Sequence, residues 1–124
     1  MQYFLSLGSN INAEANIIFA IEQINKILAN TKYSSIHKTK AEGFEGDDFL
    51  NLVVAGESEL SFDKLNEKLK DIENESGRKR DVPKFSARTL DIDIILQIDQ
   101  DEILFESNEI EKYSFVSEPL KEVL

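Results

Sequence analysis

The chain has 124 residues, no cysteine, and a formal net charge of −10 with a pI near 4.5. The length predicts a single domain, residues 1–124, while the lack of cysteine excludes a disulfide framework, a thiol nucleophile and a Cys-ligated zinc site. The acidic balance argues against nucleic acid as a partner, and the absence of a long apolar run or a signal-like N-terminus predicts a cytoplasmic protein without a membrane partner.

Hydrophobic patterning predicts three strands in the first half of the chain, at residues 3–7, 33–37 and 49–55. Between the first two, apolar residues recur on one helical face from about residue 13 to residue 28. Residues 38–48 contain two glycines and several charged side chains, which predicts a loop.

The second half of the chain predicts one more helix and two strands. Ser61 is a good N-cap for the helix, and Gly77 supplies its C-terminal stop. Apolar residues alternate with aspartates over 90–94, which is typical of a half-buried strand, and residues 101–105 form a further short strand. The order β-α-β-β-α-β predicts an α+β, ferredoxin-like fold, with an antiparallel sheet and helices packed on one face.

Positive charge is concentrated immediately before a pair of aspartates. The three arginines of the chain lie within residues 78–88, a segment of charge +4 in a chain that is otherwise −14. Asp91 and Asp93 follow, and strand alternation places them on the same face. Taken alone, a cationic segment or a pair of aspartates is more often part of a solvated surface. Together they favour a site for a polyphosphate and a divalent metal, because guanidinium groups bind phosphate and paired carboxylates bind hard cations.

Other residues have both a functional and a structural interpretation. Glu73 could accept hydrogen bonds from a ribose or base, or could simply be solvated. Asn51 could bind the edge of a flat heterocycle, or could make a structural hydrogen bond. His37 has no obvious partner and is given no catalytic role. Three phenylalanines could stack on a ring or pack in the core: Phe49, Phe85 and Phe115.

Four short motifs form a recognisable set: L-S-L-G-S-N at 5–10, D-F-L-N at 48–51, G-R-K-R at 77–80 and R-T-L-D-I-D-I at 88–94. The set resembles the 6-hydroxymethyl-7,8-dihydropterin pyrophosphokinase family of folate biosynthesis. The combination of R-x-x-D-x-D-I with an upstream G-R-x-R is specific, and the resemblance extends to about Leu96.

The resemblance implies a diphosphotransferase. ATP, as co-substrate, would donate its β,γ-diphosphate to the hydroxymethyl oxygen of the dihydropterin, with release of AMP. Two Mg²⁺ ions would be held by Asp91 and Asp93. Arg78 and Arg88 would contact the phosphates and, together with the two aspartates, would be the catalytic residues. Arg80 would belong to a mobile catalytic loop.

The resemblance also implies where the two substrates lie. Glu73 would lie on the nucleotide side, where Arg78, Arg80 and Arg88 would contact ATP. Asn51 would bind the pterin edge. The remaining pterin-side residues would be Thr39, Glu42, Phe49 and Phe115. Phe85 stands where many members carry a tryptophan in the catalytic loop.

After Leu96 the pattern differs from the family. Members of the family typically have a Pro-His-containing segment here, followed by a basic residue shortly before a Phe and a Pro-Leu pair. In this chain the Pro-His segment has no counterpart, and Lys112 and Tyr113 are the nearest candidates for the basic position. Phe115 and Pro119 match the later Phe and Pro. The chain is therefore expected to be a variant with a short C-terminal region.

Three functional hypotheses follow. We expect an active, minimal pyrophosphokinase that is a monomer. A second hypothesis is a weakened or non-catalytic paralogue that binds nucleotide or pterin in a regulatory role. A third, a ferredoxin-like RNA-binding module, fits the acidic composition poorly.

Overall fold

The computed structural model describes residues 1–40, 47–77 and 89–124. In chain order, the elements are β1 (Gln2–Ser9), α1 (Ala13–Ile24), β2 (Ala29–Tyr33), β3 (His37–Thr39), β4 (Phe49–Glu57), α2 (Phe62–Glu75), β5 (Asp91–Asp99), β6 (Glu102–Glu106), α3 (Glu109–Lys112) and α4 (Ser114–Val123).

The strands form one sheet in the order β2-β4-β1-β5-β6, and β3 pairs separately with β4. Each of these pairings is antiparallel. The inner part, β2-β4-β1-β5 together with α1 and α2, has the ferredoxin-like arrangement, so the predicted fold class is confirmed. β3, β6, α3 and α4 are additions to that arrangement.

The two faces of the sheet carry separate apolar cores, because successive side chains of a strand point to opposite faces. On one face, Leu5, Leu7 and Ile92 pack with α1 and α2, as predicted. On the other face, Phe4 and Val53 belong to a second core that includes residues of α4. Helix α4 therefore covers part of the face that the sequence prediction left without a helix.

Local signals located the second helix well. The Ser61 hydroxyl accepts a hydrogen bond from the Lys64 amide at 3.3 Å, as expected of an N-cap. Gly77, just past the helix, has a φ of 87°, a left-handed conformation that glycine adopts without a Cβ clash.

Several predicted boundaries were wrong; β5, for example, extends to Asp99 rather than ending near residue 94. Helix α1 ends at Ile24 rather than near residue 28. The single strand predicted at 33–37 is two strands, β2 and β3, separated at Ser34. There the Ser34 hydroxyl accepts a hydrogen bond from the Val53 amide at 2.9 Å, so a side chain replaces a backbone acceptor of the ladder.

Within the described ranges, none of the helices combines the length and the apolar composition needed to cross a bilayer.

Candidate functional site

The strand register brings the predicted metal side and the predicted pterin side onto one face of the sheet. Gly8 of β1 pairs with Asn51 on one side and with Asp91 on the other. Two residues earlier, Ser6 pairs with Asp93. Because neighbouring strands lie about 4.8 Å apart, the backbones of Asn51 and Asp91 are separated by roughly 10 Å across Gly8. These residues face away from α1 and α2, since Leu7 and Ile92 point toward those helices.

The two aspartates of β5 interact unfavourably when both are charged. Burial, together with the negative charge of Asp91, raises the pKa of the Asp93 carboxyl to about 6. Lys70 opposes this rise, while the carboxylates of Glu109 and Glu73 add to it. A divalent cation would relieve the repulsion between the two aspartates, so their electrostatics fit a metal site.

The donor set also fits Mg²⁺. Asp91 and Asp93 offer carboxylate oxygens only, the ligand type that Mg²⁺ prefers. Among the described residues, no group of three or more His, Cys, Asp or Glu side chains could hold a metal ion on its own. Mg²⁺ commonly binds few protein carboxylates and completes its shell with water and substrate phosphates.

Two side chains of helix α2 take the place of a neighbouring strand at Ile92 of β5. β6 pairs with residues 96–99 of β5, and in the described part of the chain α2 lies beside the earlier residues. The Ile92 amide donates to Glu73 Oε2 at 2.6 Å, and Lys70 Nζ donates to the Ile92 carbonyl oxygen at 3.0 Å. Two side chains thus satisfy the backbone groups that a strand would otherwise pair, which fixes the strand that carries Asp91 and Asp93.

Glu73 is fully buried, so the alternative of a solvated glutamate is wrong. Besides Ile92, its Oε2 atom accepts from Lys70 Nζ at 3.0 Å. A buried carboxylate requires such charged and hydrogen-bonded partners. Its described contacts give Glu73 a role in holding β5, and its predicted role on the nucleotide side stays a prediction.

On the predicted pterin side, the Asn51 amide nitrogen donates to the Thr39 hydroxyl at 2.7 Å. Asn51 is buried, and both Thr39 and Phe49 are partly buried. A Cβ added at Gly8 would lie 3.1 Å from Asn51 Oδ1 and 3.8 Å from a Phe49 ring carbon. The glycine therefore keeps the sheet surface open beside Asn51, where a flat ligand could approach.

The turn after β1 holds both sides of this region together. The Ser9 hydroxyl donates to the Thr89 carbonyl oxygen, and Asn10 Nδ2 donates to the Asp47 carbonyl oxygen at 3.0 Å. The Ser76 and Thr89 hydroxyls lie 3.0 Å apart, which joins the end of α2 to the approach to β5. The L-S-L-G-S-N motif thus links the segments that precede β4 and β5.

Helix α4 borders the same face. Phe115 is partly buried against the second core, and its ring stacks on Tyr113 with centroids 4.8 Å apart. At the other end of α4, Glu122 Oε2 lies 2.6 Å from His37 Nε2, and Glu122 Oε1 accepts hydrogen bonds from the backbone amide and the hydroxyl of Ser35. The interpretation that His37 has no partner was therefore wrong, because its partner lies 85 residues away in the sequence.

Five predicted site residues lie outside the described residues. They are Glu42, Arg78, Arg80, Phe85 and Arg88. Their assignments stay predictions.

Sequence reasoning missed Lys70. It contacts Glu73, Ile92 and Asp93, the last at 3.4 Å between Nζ and Oδ1. The available signal was its i,i+3 spacing to Glu73, which indicates a helix ion pair but gives no reason to connect Lys70 with β5.

The sequence is similar to a known protein family over most of its length. The sequence model of the 7,8-dihydro-6-hydroxymethylpterin-pyrophosphokinase (HPPK) family matches residues 4–124. The expectation that the likeness ends near Leu96 was therefore wrong, since the match continues through α3 and α4.

Relatives with that activity in their names are similar over much of the chain. The 2-amino-4-hydroxy-6-hydroxymethyldihydropteridine pyrophosphokinase of Aquifex aeolicus is 38% identical over 99 residues, which cover 78% of this chain and 61% of that protein. The Haemophilus influenzae protein of the same name is 34% identical over 128 aligned positions, covering 97% of this chain and 79% of that protein. A folate synthesis bifunctional protein of Chlamydia muridarum is 38% identical over 104 residues, which cover 77% of this chain and 23% of that protein.

The family match covers nearly the whole chain, and the antiparallel α+β fold is consistent with it. The chain belongs to the HPPK family, a family of diphosphotransferases.

Proposed function

We propose that this protein transfers the β,γ-diphosphate of ATP to the hydroxymethyl group of 6-hydroxymethyl-7,8-dihydropterin, giving the pterin diphosphate and AMP in folate synthesis. The observation that carries the proposal is the register that places Asn51 and Asp91 on either side of Gly8, on one face of the sheet. A pterin bound beside Asn51 would direct its hydroxymethyl group toward phosphates bound near the aspartates. The names of the relatives support the same reaction.

In this reaction the hydroxymethyl oxygen forms a bond to the β-phosphorus of ATP and releases its proton to water. The bond between that phosphorus and the oxygen that bridges to the α-phosphorus breaks, and its electron pair leaves with AMP. The protein contributes mainly positioning and charge stabilisation, because phosphoryl-type transfer requires little covalent work from side chains.

On the metal side, Asp91 and Asp93 would hold two Mg²⁺ ions. When bound, these ions would neutralise charge on the phosphate oxygens of ATP. Arg78 and Arg88 would bind the phosphates through paired guanidinium donors, and Arg80 would act from the catalytic loop. The pairing of β5 with β1 and its hydrogen bonds to α2 keep the two aspartates in fixed positions.

On the substrate side, Asn51 Oδ1 and Thr39 would bind the polar edge of the pterin. The rings of Phe49 and Phe115 would border the ligand, with Glu42 in the adjoining loop. Glu73 would support the nucleotide side through its contact with β5. We further propose that the protein acts as a monomer, because one sheet brings Asn51 and the two aspartates onto the same face.

The proposal is tested by AMP release from Mg-ATP in the presence of 6-hydroxymethyl-7,8-dihydropterin. The matched control is Asp93→Ala, checked for folding by circular dichroism. We expect AMP release that depends on pterin in the wild-type protein and falls to background in the variant.

Absence of AMP from a folded wild-type protein would refute the proposed activity. If pterin or nucleotide binding were still measurable by calorimetry, the result would favour the non-catalytic paralogue instead. AMP release that persists in Asp93→Ala would refute the assignment of the metal side.

A further inference from the structure

A lysine outside the motifs lies beside the proposed metal ligands. Lys70 Nζ is 3.4 Å from Asp93 Oδ1, 3.0 Å from Glu73 Oε2 and 3.0 Å from the Ile92 carbonyl oxygen. About a third of its side chain is exposed, compared with none of Glu73. Its ammonium group therefore bridges a buried carboxylate, the backbone of β5 and one of the two aspartates.

These contacts restrain Lys70 at Asp93. Moving its ammonium group away would break its ion pair with the buried Glu73 carboxylate, and breaking a buried ion pair is unfavourable. The Ile92 carbonyl would also lose a donor. Lys70 is therefore held in place by two groups that are independent of Asp93.

A cation bound at Asp93 would come close to this fixed positive charge. Mg²⁺ binds carboxylate oxygen at about 2.1 Å, so an ion on Asp93 Oδ1 would lie within about 5.5 Å of Lys70 Nζ. Coulomb repulsion between charges of +2 and +1 at that distance, even at the dielectric of water, corresponds to about a tenfold loss of affinity. A metal–nucleotide complex carries net negative charge from its phosphates and does not meet the same repulsion.

We propose that Lys70 is a positioning residue that suppresses binding of free divalent cations to Asp93, so that the metal enters together with the nucleotide phosphates. This inference rests on the proposed function, because it takes Asp91 and Asp93 as the metal side.

The test measures two affinities in Lys70→Met, which removes the charge from a side chain of similar length. One is for Mn²⁺ alone, measured by electron paramagnetic resonance. The other is for the Mg²⁺ complex of α,β-methylene-ATP, measured by calorimetry. We expect the affinity for Mn²⁺ to rise about tenfold, while the affinity for the nucleotide complex does not rise.

Three control variants make the result specific. Lys70→Arg keeps the charge and should retain the wild-type affinity for Mn²⁺. Lys64→Met makes the same charge change on an exposed part of α2 and should leave Mn²⁺ binding unchanged. If Lys70→Met does not fold, Lys70→Gln removes the charge and keeps an amide donor for the Ile92 carbonyl.

Unchanged or weaker Mn²⁺ binding in a folded Lys70→Met protein would overturn the inference, as would an equal rise in both affinities. Asp93→Asn separates this failure from that of the proposed function. Mn²⁺ binding that is insensitive to Asp93→Asn would refute the metal side itself and the role of Lys70 with it. Binding that requires Asp93 but ignores Lys70→Met would refute the role of Lys70 alone.

Discussion

The contact between Glu73 and β5 leads to a quantitative prediction about stability. The Glu73 side chain is fully buried, and its Oε2 atom accepts from the Ile92 amide at 2.6 Å and from Lys70 Nζ at 3.0 Å. Glu73→Ala would leave the Ile92 amide without this acceptor, at a cost of about 1–3 kcal/mol. It would also remove one partner of a buried ion pair, a change that typically costs 3–5 kcal/mol.

The two costs overlap, and Lys70 keeps partial solvent exposure and its contact with Asp93. We therefore expect Glu73→Ala to lower the free energy of unfolding by about 3–4 kcal/mol. This is a large share of the 5–15 kcal/mol typical of a domain. Glu73→Gln keeps an acceptor for the amide but loses the charge, so we expect a smaller loss of about 1–2 kcal/mol.

Urea denaturation followed by circular dichroism measures these differences, and hydrogen exchange of the Ile92 amide tests their cause. Glu75→Ala is the matched control, because Glu75 is exposed on the same helix and should change stability by less than about 0.5 kcal/mol. Equal losses of stability in Glu73→Ala and Glu75→Ala, or unchanged exchange of the Ile92 amide in Glu73→Ala, would show that Glu73 does not take the place of a neighbouring strand at Ile92.

The remaining predictions concern the proposed site and the hydrogen bonds of Glu122. Asp93→Ala should abolish AMP release yet keep the wild-type circular dichroism spectrum, because the Asp93 side chain is only partly buried and belongs to neither apolar core; an unfolded variant would contradict this. Gly8→Ala should weaken pterin binding measured by calorimetry more than nucleotide binding, since the new Cβ would lie 3.1 Å from Asn51 Oδ1; a variant that binds pterin as tightly as the wild type would argue against a pterin site beside Gly8. Hydrogen bonds from Ser35 and His37 lower the pKa of Glu122 from 4.5 to about 2, so its contribution to stability is complete above pH 4.5 and is lost as the pH falls toward 2. Urea denaturation across pH should show Glu122→Gln less stable than wild type at pH 6, with the difference shrinking toward pH 2; a difference that does not depend on pH would show that the charge of Glu122 is irrelevant.

Local sequence signals were sufficient for the elements with strong caps or regular alternation. Ser61 and Gly77 marked the ends of α2, and the alternation around Asp91 and Asp93 placed both aspartates on one side of a strand. These signals depend on residues within a few positions of each other, so the chain encodes them before any tertiary contact forms. The division at Ser34 was missed because it depends on the pairing of Ser34 with Val53 in β4.

The sequence by itself determined the fold class, the family motifs and the shared face of Asp91 and Asp93. The tertiary structure decided which residues meet across that face, because strand register and helix docking are set by the packing of the whole sheet. It placed Gly8 between Asn51 and Asp91, and it buried Glu73 against β5. The position of Lys70 beside Asp93, 23 residues later in the sequence, has the same origin. A side chain of α2 pairs with a backbone group at the edge of β5, and no local sequence pattern indicates that contact.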